Sequence, residues 1–162
     1  MSTDVIRKEI LLRAPAGRVW QALSDSQEFG RWFGVRLDRP FRPGEKVTGA
    51  IVGTEADEIV RNSQKQYEGK RIEFRIERME PERLFSFRWH PHAVDENKDY
   101  SNEPTTLVEF TMEETPEGVK LTLTESGFDQ IPLERRAEAF NANDHGWTTM
   151  VTVIGKFLAR ES

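Results

Sequence analysis

Residues 133–158, LERRAEAFNANDHGWTTMVTVIGKFL, decide how this chain is built. Counting from Leu133, apolar side chains recur at Ala137, Phe140, Trp147, Val151, Ile154 and Leu158. Steps of three and four are the period of a helix with one apolar stripe, sustained here over roughly seven turns. A helix of that length needs a broad apolar surface to lie on. The stripe skips one position between Phe140 and Trp147. The residue assigned to it is Asp144, a carboxylate among apolar neighbours.

The surface that receives the helix is written upstream. Residues 5–13 read as a strand, with Ile6, Ile10 and Leu12 on one face and Arg7, Glu9 and Arg13 on the other. Ala14-Pro15 ends it, and Pro15 suits the first turn of a helix whose stripe is Val19, Trp20 and Leu23. A second short helix places Phe29, Trp32 and Phe33 at i, i+3 and i+4.

From about residue 35 the period becomes two. Strands are expected at 35–37, 47–52, 70–79, 84–89, 106–113 and 119–126. Ile72, Phe74 and Ile76 alternate with charged residues, Phe85, Phe87 and Trp89 with Ser86 and Arg88, and the same period of two runs through Val108, Phe110 and Met112 and through Val119, Leu121 and Leu123. Pro116-Glu117-Gly118 marks a hairpin turn. One-sided strands joined by short turns make an antiparallel sheet with one wet face. The expected fold is therefore α+β, a helix-grip: a curved antiparallel sheet of about six to seven strands around the long C-terminal helix, with two short helices after the first strand. A curled sheet closing on one helix leaves room for an apolar pocket between them.

The chain has 162 residues, the size of one domain, and residues 1–162 are read as a single one. It contains no cysteine, which excludes disulfides, thiolate metal sites and a cysteine nucleophile. Its 23 basic and 28 acidic residues leave a net charge of −5, interspersed along the strands. No basic stripe suggests nucleic acid as a partner. The first residues are charged where a signal peptide needs an apolar core, and no stretch of about 18 apolar residues offers membrane insertion. The expected location is the cytoplasm.

The segment Ile10-Leu11-Leu12-Arg13-Ala14-Pro15-Ala16-Gly17-Arg18-Val19-Trp20-Gln21-Ala22-Leu23 resembles the start of START-like (SRPBCC, Bet v-type) ligand-binding domains. Phe29-Gly30-Arg31-Trp32-Phe33 and the later Pro43-Gly44 are similar to a bacterial branch of that superfamily, the one related to the C-terminal domain of the heat-shock-protein-90 ATPase activator. So is Asn143-Asp144-His145-Gly146-Trp147 with Val151, Ile154 and Leu158 behind it. The resemblance implies a helix-grip fold with a cavity that in relatives takes lipids, sterols, polyketides or other apolar molecules. The same cavity serves carriers, cyclases and co-chaperones, so fold alone does not fix the chemistry. The eukaryotic activator also carries a separate N-terminal domain that this sequence does not include, and chaperone activation is not expected.

Candidate site residues follow. Asp144 is the leading acid–base candidate, since a carboxylate on an apolar face must shift its pKa or find a donor such as Arg88. His90, in Trp89-His90-Pro91-His92 at a strand end, is the second. The polar stretch Ala93 to Pro104 follows, unpatterned and long for a loop, as lids are. His90-x-His92 with Asp95, Glu96 or Asp99 offers nitrogen and oxygen donors, but the spacing matches no ligand signature; no metal and no cofactor is expected. Ligand-lining candidates are Trp32, Phe33, Phe87, Trp89, Phe110, Phe140, Asp144, Trp147 and Val151. A second long loop, residues 53–69, reads as a gate or an irregular hairpin. No phosphate loop, His-Glu-x-x-His or Gly-x-Ser-x-Gly is present. The leading expectation is a binding protein for a small apolar or amphipathic molecule. A cyclase or hydrolase using Asp144 or His90, and a co-chaperone-like interaction module, are the alternatives. A monomer or weak homodimer is expected.

Overall fold

The computed structural model describes residues 4–160. Its elements are β1 (Val5–Leu12), α1 (Ala16–Ser24), α2 (Ser26–Phe33), β2 (Val35–Leu37), β3 (Lys46–Ile51), α3 (Glu58–Gln64), β4 (Arg71–Glu80), β5 (Leu84–Trp89), β6 (Thr106–Thr115), β7 (Gly118–Ser126) and α4 (Leu133–Arg160). Short 3-10 turns follow α3 and β7. The reading of the first residues, so far as it concerns Met1–Thr3, lies outside the described residues.

The seven strands form one antiparallel sheet in the order β1-β7-β6-β5-β4-β3-β2. The helix-grip architecture read from the sequence is the one observed. α4 runs along the concave face, against β1 and α2 in particular.

Local chemistry explains the helix boundaries. The Asp25 carboxylate accepts from the backbone N–H groups of Gln27 (2.9 Å) and Glu28 (3.3 Å), capping α2. Gly34 ends it in the left-handed region at φ 95°, a conformation only glycine adopts without strain. The Trp32 indole N–H donates to the Ala22 carbonyl at 2.8 Å and locks α2 against α1.

The sheet bends at one identifiable place. Ile76 pairs with Phe87 but Arg78 pairs with Ser86, so Glu77 is an extra residue in β4. Such a bulge kinks its strand and raises the local twist. It also resets the alternation: Ile72, Phe74 and Ile76 face the helix before it, and Met79 opposite Phe85 faces it after.

Two expectations are corrected. The stretch 53–69 is not an irregular hairpin, because residues 58–64 form α3. Asp57 accepts from the Val60 N–H at 3.0 Å as its N-cap, and Lys156 of α4 pairs with the same carboxylate. The stripe of α4 is also rotated from the expected one. Leu133 and Ala137 are exposed, and the buried face is Ala139, Trp147, Met150, Val153, Ile154, Phe157 and Leu158.

Candidate functional site

The rotation of α4 changes which polar residue meets the core. The position between Phe140 and Trp147 that faces the sheet is Asn143, not Asp144. What it meets is Glu125, the penultimate residue of β7, fully buried. Four side chains donate to the two oxygens of Glu125. Trp147 Nε1 lies 2.8 Å from Oε1, Trp89 Nε1 2.7 Å from Oε2, and Thr106 Oγ1 2.5 Å from Oε2. The Asn143 amide reaches both oxygens, at 3.0 and 3.1 Å. A buried carboxylate is tolerable only when its acceptor capacity is met, and here β5, β6 and α4 each supply a donor. Glu125 is thus the point where sheet and helix are pinned together.

Aromatic rings surround it. Trp89 and Trp147 lie 5.7 Å apart between centroids, and Phe33 is 6.1 Å from the first and 5.7 Å from the second. The rings continue without a break through Phe74, Phe87, Phe110, Phe29, Phe85 and Phe41. Trp32, Phe87 and Phe110 are fully buried members of this core. The region expected to hold a void is occupied by these rings. The surface carries hollows of its own. One of about 440 Å³ lies between the β1–α1 turn and the β6–β7 hairpin, and one of about 680 Å³ between the α1–α2 corner and residues 37–41. Neither is bounded by the Trp89–Trp147 cluster. Phe140 packs on Phe128 at 5.2 Å, away from Trp89, and Val151 is half-buried.

The two acid–base candidates fall elsewhere. Asp144 sits at the rim of α4 with its side chain 47 % exposed, and Lys8 of β1 donates to it at 2.8 Å. Arg88, the donor considered from sequence, pairs with Glu77 on the outer face at 3.1 Å. His90 has Nε2 3.1 Å from the Glu103 carbonyl. His92 turns to Glu138 at 3.5 Å, so the two histidines face different partners. Among the described residues, no group of three or more His, Asp or Glu is placed to hold a metal.

Residues 90–104 lie between Trp89 and Thr106, two of the Glu125 donors, and form a strap held at several points. Arg135 of α4 donates to Glu103 (2.8 Å) and to the Pro91 carbonyl (2.9 Å), and its guanidinium lies 4.8 Å from the Tyr100 ring. Lys98 reaches Glu103 at 3.0 Å, and Lys70 donates to the Val94 carbonyl at 2.6 Å. Burial pushes the Glu103 carboxyl upward, but the hydrogen bonds from Lys98 and Arg135 outweigh it and hold it below the usual glutamate value.

Sequence reasoning therefore found Trp89 and Trp147 and missed Glu125, Thr106 and Asn143. A signal was present for Glu125, which continues the inward series Val119, Leu121, Leu123 by one more step of two.

This fold and its wrapped helix are those of the START-like, SRPBCC class. Within it, the profile described as "Activator of Hsp90 ATPase homolog 1-like protein" matches residues 13–159, and the chain belongs to that family. Solved structures agree on the fold. Protein MLL2253 from Mesorhizobium loti is 19 % identical with a TM-score of 0.71, the match covering 98 % of each chain. A Bordetella parapertussis protein, BPP1335, is 24 % identical with a TM-score of 0.68, covering 98 % of this chain and 76 % of that one. DynU16, from the dynemicin biosynthetic locus, is 21 % identical with a TM-score of 0.66, covering 96 % of this chain and 47 % of its own. No curated protein is close enough in sequence to stand as a relative. Among the described residues, no helix is long and apolar enough to cross a membrane.

Proposed function

We propose that the protein binds a small apolar or amphipathic molecule at the seam between sheet and α4, against Phe33, Trp89, Phe110 and Trp147 and beneath the strap 90–104. The observation that carries this reading is the pairing of a fully buried carboxylate, Glu125, with two indole donors from opposite walls of that seam. Ring faces suit an apolar body, and a ligand hydroxyl or amide would be oriented by taking the place of one of the four side chains that donate to Glu125. Family membership supports the same reading, since related folds enclose apolar ligands.

The rings are in contact with one another, so a ligand must replace ring–ring contacts as it enters. Movement of the strap is the least disruptive route, because side-chain contacts from Arg135, Lys98 and Lys70 fasten it and no strand pairing has to break. Binding then selects a minor, opened state, and the apparent affinity falls by the fraction of molecules in it. Asp144 and His90 take no part in the proposed contacts.

The test is a thermal-shift titration with a fatty acid, a sterol and a fused-ring aromatic probe, read in parallel by tryptophan fluorescence. Saturable stabilisation that grows with probe concentration is expected, together with a change in emission from Trp89 and Trp147. Phe33→Ala should weaken it while leaving Asp144→Asn at the native affinity. Absence of both signals across all three probe classes would overturn the proposal.

A further inference from the structure

The sheet has two free edges, and they differ in length. β2 offers three residues, too few to template another strand, whereas β1 offers eight. Among the described residues, β1 pairs with β7 along one side and packs on α4, and its other side meets no further strand. A long free edge presents a row of unpaired N–H and C=O groups ready for another strand.

The outward face of β1 carries Val5, Arg7, Glu9 and Leu11 in alternation. Val5 is 48 % exposed and Leu11 is 41 % exposed, two of the four large apolar side chains most open to water among the described residues. The other two, Ile59 on α3 and Leu133 at the start of α4, stand singly. Between Val5 and Leu11 lie one positive and one negative charge, which in the single chain pair with each other along the strand. Glu9 also has Lys120 of β7 at 3.9 Å.

We propose that β1 pairs antiparallel with β1 of a second copy of this chain, with Lys8 on the two-fold axis, so that one sheet runs through both molecules. In that register Arg7 faces Glu9 and Val5 faces Leu11 across the new seam, and each pair forms twice, as a closed isologous contact requires. Opposite-charge and apolar cross-strand pairs are the favourable ones. The neighbouring registers are worse for a stated reason. Sliding by two residues sets Arg7 against Arg7 or Glu9 against Glu9, and sliding by one turns the inner face of the second copy outward. The strand is therefore complementary to itself in one register.

On the inner face, Lys8 of each copy meets Lys8 of the other. This like-charge contact is relieved because each lysine already holds Asp144 of its own α4 at 2.8 Å. An inward-pointing charge on an edge strand discourages indiscriminate pairing. Here its counter-ion from the helix permits one specific pairing while the lysine still opposes others. A contact of eight residues is smaller than a standard stable interface, so a reversible dimer with micromolar dissociation is expected.

The test is sedimentation equilibrium over a concentration series of the full chain. The native protein should show a monomer–dimer equilibrium. Arg7→Glu, which places glutamate opposite glutamate twice, should raise the dissociation constant about tenfold or more. The charge-swapped double variant R7E/E9R should restore it in large part. The chain has no cysteine, so a second measurement is clean. An oxidised 1:1 mixture of Arg7→Cys and Glu9→Cys chains should cross-link as a heterodimer, because facing strand residues lie within disulfide reach, and neither chain alone should do so. Both sites are exposed, so folding survives substitution, as a native circular dichroism melt would verify. A native chain that stays monomeric up to about several hundred micromolar, far above the micromolar dissociation expected of so small a contact, would overturn the proposal. So would a dimer indifferent to Arg7→Glu, or cross-linking by either single-cysteine chain alone.

Discussion

Trp147 of α4 donates its indole N–H to Glu125 of β7 at 2.8 Å, and Trp89 of β5 donates to the other oxygen of the same carboxylate at 2.7 Å. Two tryptophans from facing walls thus share one acceptor that is fully shielded from water. Neither indole has another hydrogen-bond role open to it, since the nitrogen of tryptophan only donates.

Replacing that acceptor should be costly. Glu125→Gln keeps the volume but turns an NH₂ toward groups that also donate. It is expected to destabilise the fold by about 2–4 kcal/mol, and Glu125→Leu by more, because every donor then stays buried without a partner. Urea unfolding followed by tryptophan fluorescence measures the loss. A change under about 0.5 kcal/mol would mean that water reaches the cluster and satisfies it.

Asp144 should matter far less. Its pairing with Lys8 is half open to solvent, so Asp144→Asn is expected to cost no more than about 1 kcal/mol in the monomer, and less at high salt. A loss of several kcal/mol in dilute samples, where the chain is monomeric, would contradict the rim placement.

The strap should loosen in acid. Glu103 is held below its ordinary value of 4.5 in the folded chain. A carboxyl with a depressed folded pKa contributes stability that is present above its unfolded value and lost as pH falls through the folded one. Hydrogen exchange or limited proteolysis of residues 90–104 should therefore stay slow at neutral pH and rise below about pH 4.5. Glu103→Gln should be fast at neutral pH already and lose most of the acid response. Identical pH profiles for the two proteins would remove Glu103 as the fastener.

Gly34 gives a backbone test. A Cβ added there would stand 2.8 Å from the Thr54 backbone nitrogen and the Gln64 amide, at a φ of 95°. Gly34→Ala is expected to cost about 1–3 kcal/mol in thermal or urea unfolding. A neutral result would show that α2 can end by another cap.

The fold was legible because its two periods are clean. Phe74, Phe85, Phe87 and Phe110 alternate with charged or polar residues, and Trp147, Ile154 and Leu158 repeat at helical spacing. The helix phase near residue 144 was not, for a geometric reason. Adjacent residues on a helix stand about 100° apart, and an apolar stripe drawn through Leu133 and Ala137 rather than Ala139 rotates the face enough to exchange Asn143 for Asp144. Leu133 misled because an apolar side chain in a first turn, 76 % exposed here, need not belong to the core. α3 was hidden for a different reason. Ile59 and Val60 favour strands by composition, and the Asp57 cap, a tertiary pairing with Lys156, decides for helix. The aromatic pattern named both Trp89 and Trp147, which the structure brings to within 5.7 Å of each other. Whether rings fill or surround a volume depends on their mutual orientation, which spacing does not encode.

Glu77 is a single inserted residue, yet the chain on either side of it is read in opposite parity. Upstream, even-numbered positions of β4 are apolar; downstream, Met79 takes over and its even-numbered neighbours Arg78 and Glu80 are charged. Removing that one residue would keep Arg78 opposite Ser86 and Met79 opposite Phe85 and would restore an unbroken apolar–charged alternation through Glu80, so what the strand would lose is the kink and not the facing of its side chains. The kink beside α4 is thus written as a change of reading frame in the hydrophobic pattern, spelled by one residue that no partner strand answers.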